Sequence, residues 1–160
     1  MRQNEELVKR LARAGMTVAT AESCTGGALA ARIVEVSGAS AVFPGGIVSY
    51  AEEIKSRLLG VSPALIEEQG VVSEAVAAAM AEGARRALGT SIAVSTTGVA
   101  GPSGGTPLIP VGTVCIAVSG EGGARCYTEH FAGDREAVRA AAVDAALAHL
   151  LAYLTEQSAL

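Results

Sequence analysis

Residues 16–27 read MTVATAESCTGG, a short apolar run that passes into a polar turn closed by two glycines. An Ala-rich segment of helical character begins at Ala28, so the stretch predicts a strand that leads directly into a helix. The first N–H groups of a helix have no intrahelical partner and lie at the positive end of its dipole. We therefore expect an anion or a developing oxyanion to be stabilised beside Ser23 and Cys24.

The segments on either side of this turn alternate between strand and helix character, which predicts a layered α/β fold. Helices are predicted over residues 4–14, 28–36, 52–59, 63–68, 74–88 and 134–154, and strands over residues 17–20, 46–49, 91–97, 111–118 and 125–131. Residues 42–43 are a candidate for one more short strand, and the last two strands are predicted to form a hairpin. Because the chain has no tryptophan and few other aromatic residues, its core must consist of Ala, Val, Leu and Ile in close helix–sheet contact.

Length and charge limit the classes of partner. A length of 160 residues predicts a single domain that spans residues 1–160. The formal net charge of -4, with no basic block, argues against nucleic acid and against an anionic membrane surface, and it favours a small soluble substrate. The first residues lack the apolar core of a signal peptide, so we expect a cytoplasmic protein.

The cysteines and histidines do not have the spacing of a metal site. Cys24, Cys115 and Cys126 form no CxxC pair, and we expect them to be reduced thiols. His130 and His149 have no cysteine or acidic residue at ligand spacing. The sequence therefore predicts no metal.

Two predicted strands end in glycine-rich loops, one after Thr20 and one after Thr97 that includes Gly98 and Gly101. In open α/β sheets, ligands bind where the carboxyl ends of strands point, so the two loops suggest a cleft of nucleotide size. The alternative is that these glycines only form tight turns. Neither loop contains a P-loop or a dinucleotide fingerprint, so neither ATP nor NAD binding is supported and no cofactor is expected.

Ser23 is a candidate nucleophile, although the chain has no GxSxG elbow and no histidine in a motif that suggests a triad. A lysine is the remaining candidate for its base. The chain has only two lysines, of which Lys9 lies on the first predicted helix as a surface residue, so Lys55 is the candidate. Two alternatives stay open here: a solvated helix pair of Lys55 with Glu52, and Cys24 as an inert core residue.

Several motifs in one order along the chain resemble the CinA C-terminal domain family. They are TVATAESCTGG at 17–27, SGASAVFPGGIVSYAEEIK at 37–55, GVVSEAVA at 70–77, STTGVAGPSGG at 95–105, PVGTV at 110–114 and FAGDREAVR at 131–139. The resemblance covers nearly the whole chain, and it implies a three-layer α/β/α sandwich with a mixed, mostly parallel sheet. Glu52 and the segment 106–109 depart from the pattern of many relatives, which bears on substrate preference more than on the reaction.

The family includes stand-alone nicotinamide-nucleotide amidases of the PncC type, which hydrolyse the carboxamide of nicotinamide mononucleotide to nicotinate mononucleotide and ammonia. The resemblance implies that Ser23 is the nucleophile, that Lys55 is its base, and that Tyr50 is a neighbouring catalytic or positioning group. The substrate-binding residues expected from the resemblance and from the two loops are Thr25, Gly26, Gly27, Ser40, Thr97, Gly98, Gly101 and Arg135.

Within this set, the backbone N–H groups of residues 25–27 are expected to hold the oxyanion. Arg135, at the start of the last helix, is expected to hold the substrate phosphate. The rival hypothesis is a catalytically silent nucleotide-binding or interaction domain. The sequence leaves the oligomeric state open, a homo-oligomer included.

Overall fold

The computed structural model describes residues 1–159 and contains six α-helices and five β-strands. In chain order they are α1 (Gln3–Ala14), β1 (Val18–Glu22), α2 (Ala28–Val34), β2 (Gly45–Val48), α3 (Glu52–Leu59), α4 (Pro63–Gln69), α5 (Glu74–Leu88), β3 (Ile92–Gly98), β4 (Thr113–Gly120), β5 (Gly123–His130) and α6 (Arg135–Ser158). The predicted bounds of α3 and α5 are confirmed, and the other elements differ from prediction only at their ends. The short strand suggested at residues 42–43 is wrong, because a 3-10 turn (Ala39–Ala41) precedes them and they lie outside any strand.

The sheet is mixed, as predicted, with the strand order β2-β1-β3-β4-β5. The strand β1 pairs in parallel with β2 and β3, whereas β4 pairs antiparallel with β3 and β5. Four strands therefore share one direction and β4 runs against them. The hairpin of β4 and β5 is confirmed, and its two-residue loop lies between the paired Gly120 and Gly123.

Side chains of different size cover the two faces of the sheet. Val18, Ile92 and Val94 belong to the core that α1, α2 and α6 complete. Ala19 and Ala93 point to the opposite face, where the core is completed by residues of α3 and α5. Alternation along each strand sends neighbouring residues to opposite faces, and the small residues on the α5 side allow that helix to lie close to the sheet. The result is the expected α/β/α sandwich.

Helix α6 is long and apolar enough to meet the length and hydropathy criteria for a membrane-spanning helix. A core helix meets the same criteria, and α6 packs in that way here. Val138, Val143, Leu147 and Leu150 are buried in the core that α6 shares with α1, α2 and the sheet. The apolar composition of α6 is thus accounted for by packing within the domain.

The three parallel strands end at one edge of the sheet. The register places Glu22, the last residue of β1, opposite Val48 of β2 and Thr96 of β3. The segments that follow these strand ends must therefore lie close together. Ser23 and Ser49 both begin such segments. The turn that contains Ser23 and the segment that leads into α3 therefore lie together at this edge.

Candidate active site

Ser23 and Lys55, which are 32 residues apart in sequence, meet at this edge with 3.0 Å between Ser23 Oγ and Lys55 Nζ. Ser23 follows β1, and its N–H donates to Thr96 O at 3.0 Å, which ties the residue to β3. Lys55 lies in α3, and only 1% of its surface is exposed. The pair that the sequence suggested is thus brought together by two different elements.

Three oxygen atoms surround the amine of Lys55. Lys55 Nζ also lies 2.6 Å from Ser49 O and 3.2 Å from Tyr50 O, both of which can only accept. A neutral amine has two N–H donors for these carbonyls and one lone pair, which remains for the hydroxyl of Ser23. Burial lowers the pKa of Lys55 below its ordinary value of 10.5, and the charge of Glu52 opposes this shift.

The alternative of a solvated pair between Lys55 and Glu52 does not describe this arrangement. Among residues 1–159 the two side chains form no ion pair within 4.0 Å. Lys55 is instead turned inward to Ser23 and to the chain between β2 and α3. Glu52 remains exposed at the rim of the same cavity.

The start of α2 binds a carboxylate side chain of the protein itself. The carboxylate of Glu22 is fully buried and accepts hydrogen bonds from Leu29 N at 2.8 Å, Ala30 N at 3.0 Å and Thr25 Oγ1 at 2.6 Å. The expected anion site at this helix start is therefore occupied from within. No role was predicted for Glu22, although an acidic residue just before a glycine turn and a helix was a usable signal.

Two backbone donors nevertheless remain beside Ser23. The N–H of Gly26 donates to Ser23 O, and the N–H of Ala28 donates to Thr25 O, each at 3.0 Å. Within the described chain, the N–H groups of Cys24 and Thr25 have no protein acceptor. These two consecutive groups follow the serine directly, which makes them the candidate donors to an oxygen at its Oγ.

Arg139 of α6 binds the other side of the turn after Ser23, and no role was predicted for it from the sequence. Its Nε donates to Cys24 O at 3.0 Å and its Nη2 donates to Thr25 O at 2.9 Å. The residue lies one helical turn after Arg135 in α6, so both arginines face the same edge of the sheet. That spacing was the signal available in the sequence.

A cavity of about 230 Å³ opens at this edge. It is lined by Ser23, Cys24, Tyr50, Glu52, Lys55, Val71, Val72, Thr97, Gly98, Ala100 and Arg135. Six of the predicted site residues thus share it: Ser23, Tyr50, Lys55, Thr97, Gly98 and Arg135. Thr97 Oγ1 donates to Val71 O at 2.8 Å and so fixes the loop before α5 against β3.

Arg135 bridges two sides of the cavity mouth. Its Nη1 donates to Gly101 O at 2.9 Å and its Nη2 donates to Tyr50 Oη at 3.0 Å. Neither partner is a carboxylate, so the positive charge of Arg135 is available to an anion. Gly101 contributes its carbonyl to this bridge and does not itself line the cavity.

Ser40 does not reach the cavity, which corrects the expectation that it completes the pocket. It is exposed on the 3-10 turn Ala39–Ala41. The N–H of Val18 donates to Val42 O at 2.8 Å, which places this turn at the beginning of β1. Ser23 follows the other end of that strand, roughly 13 Å or more away at about 3.3 Å per residue.

Thr25, Gly26 and Gly27 also lie outside the cavity lining. The hydroxyl of Thr25 is turned into the protein, where it donates to Glu22 and lies 2.7 Å from Thr96 Oγ1. Gly26 uses its N–H within the turn, and Gly27 is the N-cap of α2. Among residues 1–159, the N–H groups of Thr25 and Gly27 have no protein acceptor, and Thr25 is the nearer of the two to Ser23 in sequence.

The Cys24 thiol is buried, and His149 is held in contacts away from the chemistry of Ser23 and Lys55. Burial raises the pKa of the Cys24 thiol to about 11, so the thiol stays protonated at neutral pH. His149 stacks on Tyr127 and lies 2.7 Å from Glu129 Oε1, on the β5 side of α6. In residues 1–159 no group of three or more His, Cys, Asp or Glu side chains could hold a metal ion.

The model of the CinA C-terminal domain matches residues 2–154. The chain belongs to the CinA C-terminal domain family. CinA-like proteins from Geobacter sp. strain M21 and Anaeromyxobacter dehalogenans strain 2CP-C are each 51% identical to it, over 94% and 88% of the chain. The matched regions make up 37% and 35% of those proteins, so this CinA domain spans little more than a third of their length.

Solved CinA structures have the same fold. A competence-damaged protein (CinA) superfamily protein from Escherichia coli matches with a TM-score of 0.90 and 38% identity, over 93% of this chain and 87% of that one. The competence/damage inducible protein CihA from Agrobacterium tumefaciens also matches with a TM-score of 0.90, at 37% identity and over 97% of both chains. The α/β class and the mixed sheet inferred from the sequence are thereby confirmed.

Proposed function

We propose that this CinA domain is a nicotinamide-nucleotide amidase that hydrolyses nicotinamide mononucleotide to nicotinate mononucleotide and ammonia. The observation that carries the proposal is the contact of 3.0 Å between the buried amine of Lys55 and the hydroxyl of Ser23. A serine nucleophile needs a base with an available lone pair, and burial lowers the pKa of Lys55 in that direction. Membership of the CinA family is consistent with a hydrolase and adds support.

In the acylation step, Ser23 Oγ attacks the carboxamide carbon while its proton passes to the lone pair of Lys55 Nζ. The carbonyl electron pair moves to the oxygen, and the resulting oxyanion accepts from the free N–H groups of Cys24 and Thr25. When the tetrahedral intermediate collapses, the bond from carbon to nitrogen breaks. The ammonium of Lys55 then gives its proton to the leaving nitrogen, which departs as ammonia, and an ester on Ser23 remains.

In the deacylation step, water attacks the ester carbon and gives a proton to Lys55, which is again neutral. The second oxyanion forms at the same two N–H groups. Its collapse breaks the bond to Ser23 Oγ, which takes the proton back from Lys55. The acid product ionises, and Ser23 and Lys55 return to their starting states. These steps use only groups of the chain and water, so they need no metal and no organic cofactor.

The cavity suits one end of a nucleotide. A volume of about 230 Å³ is below the roughly 300–1,000 Å³ of pockets that enclose a whole drug-sized ligand. We place the pyridine ring inside, against Val71 and Val72, and the ribose phosphate at the mouth, where the guanidinium of Arg135 is available.

The three cysteines are free thiols, which supports a cytoplasmic location for this reaction.

The test is the release of ammonia from nicotinamide mononucleotide by the purified chain, with Ser23→Ala and Ser37→Ala as matched variants. Ser37 is an exposed serine in the turn after α2. We expect turnover by the wild type and by Ser37→Ala and a loss of at least roughly a thousandfold in Ser23→Ala. Binding of the mononucleotide without ammonia release would favour the silent nucleotide-binding domain. Undiminished turnover by Ser23→Ala would refute the mechanism.

A further inference from the structure

Arg139 is a half-buried arginine whose charge faces two peptide carbonyls. Its Nε and Nη2 donate to Cys24 O and Thr25 O at 3.0 and 2.9 Å. Among the described residues it forms no ion pair with a carboxylate. Arg139 therefore uses its guanidinium to bind the main chain next to a candidate nucleophile, which suggests a function in the reaction.

Because the peptide bond is planar, these two contacts determine the direction of the N–H groups that follow the two carbonyls. In a trans peptide the C=O and the following N–H point in opposite directions. The described chain has its cis peptide bond at Gly101-Pro102, so the bond between Cys24 and Thr25 is trans. Because the Cys24 carbonyl is held towards α6, the N–H of Thr25 points away from α6.

The next peptide unit supports this reasoning. The Thr25 carbonyl is also held by Arg139, so the N–H of Gly26 must point away from that arginine. It does so, and it reaches Ser23 O at 3.0 Å. The arginine thus orients two consecutive peptide planes at once, and the N–H of Thr25 is the donor left over.

Arg139 also changes the strength of that donor. Hydrogen bonds from a charged guanidinium to a carbonyl are stronger than neutral ones. They polarise the peptide unit, and a polarised peptide has a more effective N–H donor at its other end. In a site from which water is excluded, such a pre-oriented donor stabilises a developing oxyanion.

We propose that Arg139 is a positioning residue that orients and polarises the peptide between Cys24 and Thr25, so that the Thr25 N–H donates to the oxyanion of the reaction at Ser23. The inference rests on the proposed amidase function. It replaces the dipole of α2, whose first N–H groups are taken by Glu22, with an arginine of α6 as the source of oxyanion stabilisation.

The first test compares Arg139→Met with Arg10→Met in the full chain. Arg10 is a matched control, because it also donates to a main-chain carbonyl, that of Leu151, but on α1. For nicotinamide mononucleotide we expect kcat to fall roughly thirtyfold to a hundredfold in Arg139→Met with KM nearly unchanged, and no change in Arg10→Met. The pH at which kcat/KM rises should stay the same in Arg139→Met, because Lys55 is untouched. A structural role alone would change KM together with kcat.

A second probe keeps this inference separate from the choice of substrate. A fluorophosphonate reacts with a serine nucleophile: the Oγ bonds to phosphorus, fluoride leaves, and the hydroxyl proton passes to the base. The phosphoryl oxygen then needs the same N–H donors as the oxyanion. We expect Ser23 to be labelled in the wild type and in Arg10→Met, and labelled at least roughly tenfold more slowly in Arg139→Met. Arg139→Lys, which keeps the charge but loses the fork of donors, should give an intermediate rate.

The outcomes separate the two claims. If the wild type labels at Ser23 but releases no ammonia from the mononucleotide, the proposed substrate fails and the labelling rates still decide the role of Arg139. Equal labelling rates in the wild type and in both Arg139 variants would overturn that role even where the amidase activity stands. If Arg139→Met does not fold, Arg139→Lys decides, and a wild-type rate in that variant counts against the proposal. Absence of labelling of wild-type Ser23 would overturn both claims.

Discussion

A lysine amine that is buried releases its proton more readily than one in water, because burial removes the water that solvates the charged form. Lys55 is such a residue, and the hydroxyl of Ser23 is its third neighbour. The nearby charge of Glu52 raises the pKa of Lys55 in part, but burial has the larger effect. The proposed reaction therefore depends on one amine, that of Lys55, and on its protonation state.

Lys55→Arg should abolish most activity while leaving the fold intact. The guanidinium keeps the positive charge, but it cannot lose its proton at working pH and so cannot act as a base. We expect kcat for ammonia release to fall by roughly a hundredfold or more. Lys9→Arg, which changes the exposed lysine of α1, is the matched control and should have wild-type kcat. A near-normal kcat in Lys55→Arg, with an unchanged melting temperature, would exclude Lys55 as the base.

Individual site residues differed in how far the sequence could predict them. Ser23 and Lys55 could be proposed because few residue types can act as nucleophile and base, and the chain contains only two lysines. Glu22 and Arg139 were not assigned, because an acid before a glycine turn and two arginines four residues apart are weak signals, and the main-chain groups that they bind cannot be identified from sequence. Ser40 does not line the cavity, since its position depends on how the chain turns after α2.

At the scale of elements, α3 must lie close to α5 for Lys55 to reach Ser23. Gly83 of α5 makes this approach possible. A Cβ at residue 83 would lie 1.9 Å from Leu59 O, which is far inside contact distance and involves backbone. Leu59 is the last residue of α3, one turn after Lys55, so the packing of these two helices is coupled to the position of the amine.

Gly83→Ala should therefore lower both stability and activity, although alanine is the better helix former by about 1 kcal/mol. The clash with Leu59 should outweigh that gain and destabilise the fold by roughly 1–3 kcal/mol. Displacement of α3 should also reduce kcat for ammonia release. The measurements are the free energy of unfolding in denaturant and the turnover of the folded fraction.

Gly45→Ala is the control for this substitution, because a Cβ there would meet only Leu88 Cδ2 at 3.8 Å. We expect little change in stability and none in turnover for Gly45→Ala. If Gly83→Ala were as stable and as active as the wild type, the close approach of α3 to α5 would not be what positions Lys55.

The elements themselves were predicted with different success for physical reasons. Helices α3 and α5 are bounded by local signals, a glycine after each and the Ser73 cap of α5, so their ends could be found from sequence. The ends of β1 and β4 lay two residues beyond the predicted ones, since a strand continues as long as its neighbours supply partners. Pairing partners are a property of the sheet rather than of the segment.

At the scale of the whole molecule, the sheet topology creates the site. Three parallel strands end together, and the turn with Ser23, the entry to α3 and the loop after β3 meet at that edge. Helix α6 crosses from the other layer and brings Arg135 and Arg139 to the same place. The resemblance to the CinA family implied this architecture, and local patterns alone predicted only the α/β class.

The protonation state of Lys55 tests the central claim most directly. In protein labelled with ¹³C and ¹⁵N at lysine, only two side-chain signals are present, and the Lys9→Arg variant assigns the remaining one to Lys55. A lysine with a lowered pKa loses its proton as pH rises through that lower value, so kcat/KM should rise over the same range. In Glu52→Gln, both transitions should move to still lower pH, because the charge that raises the pKa is removed.

We expect the Lys55 signal to titrate below the ordinary lysine value of 10.5, in step with the rise of kcat/KM. A Lys55 signal that titrated at or above that value, while the wild type still released ammonia from nicotinamide mononucleotide at neutral pH, would contradict the Ser–Lys mechanism.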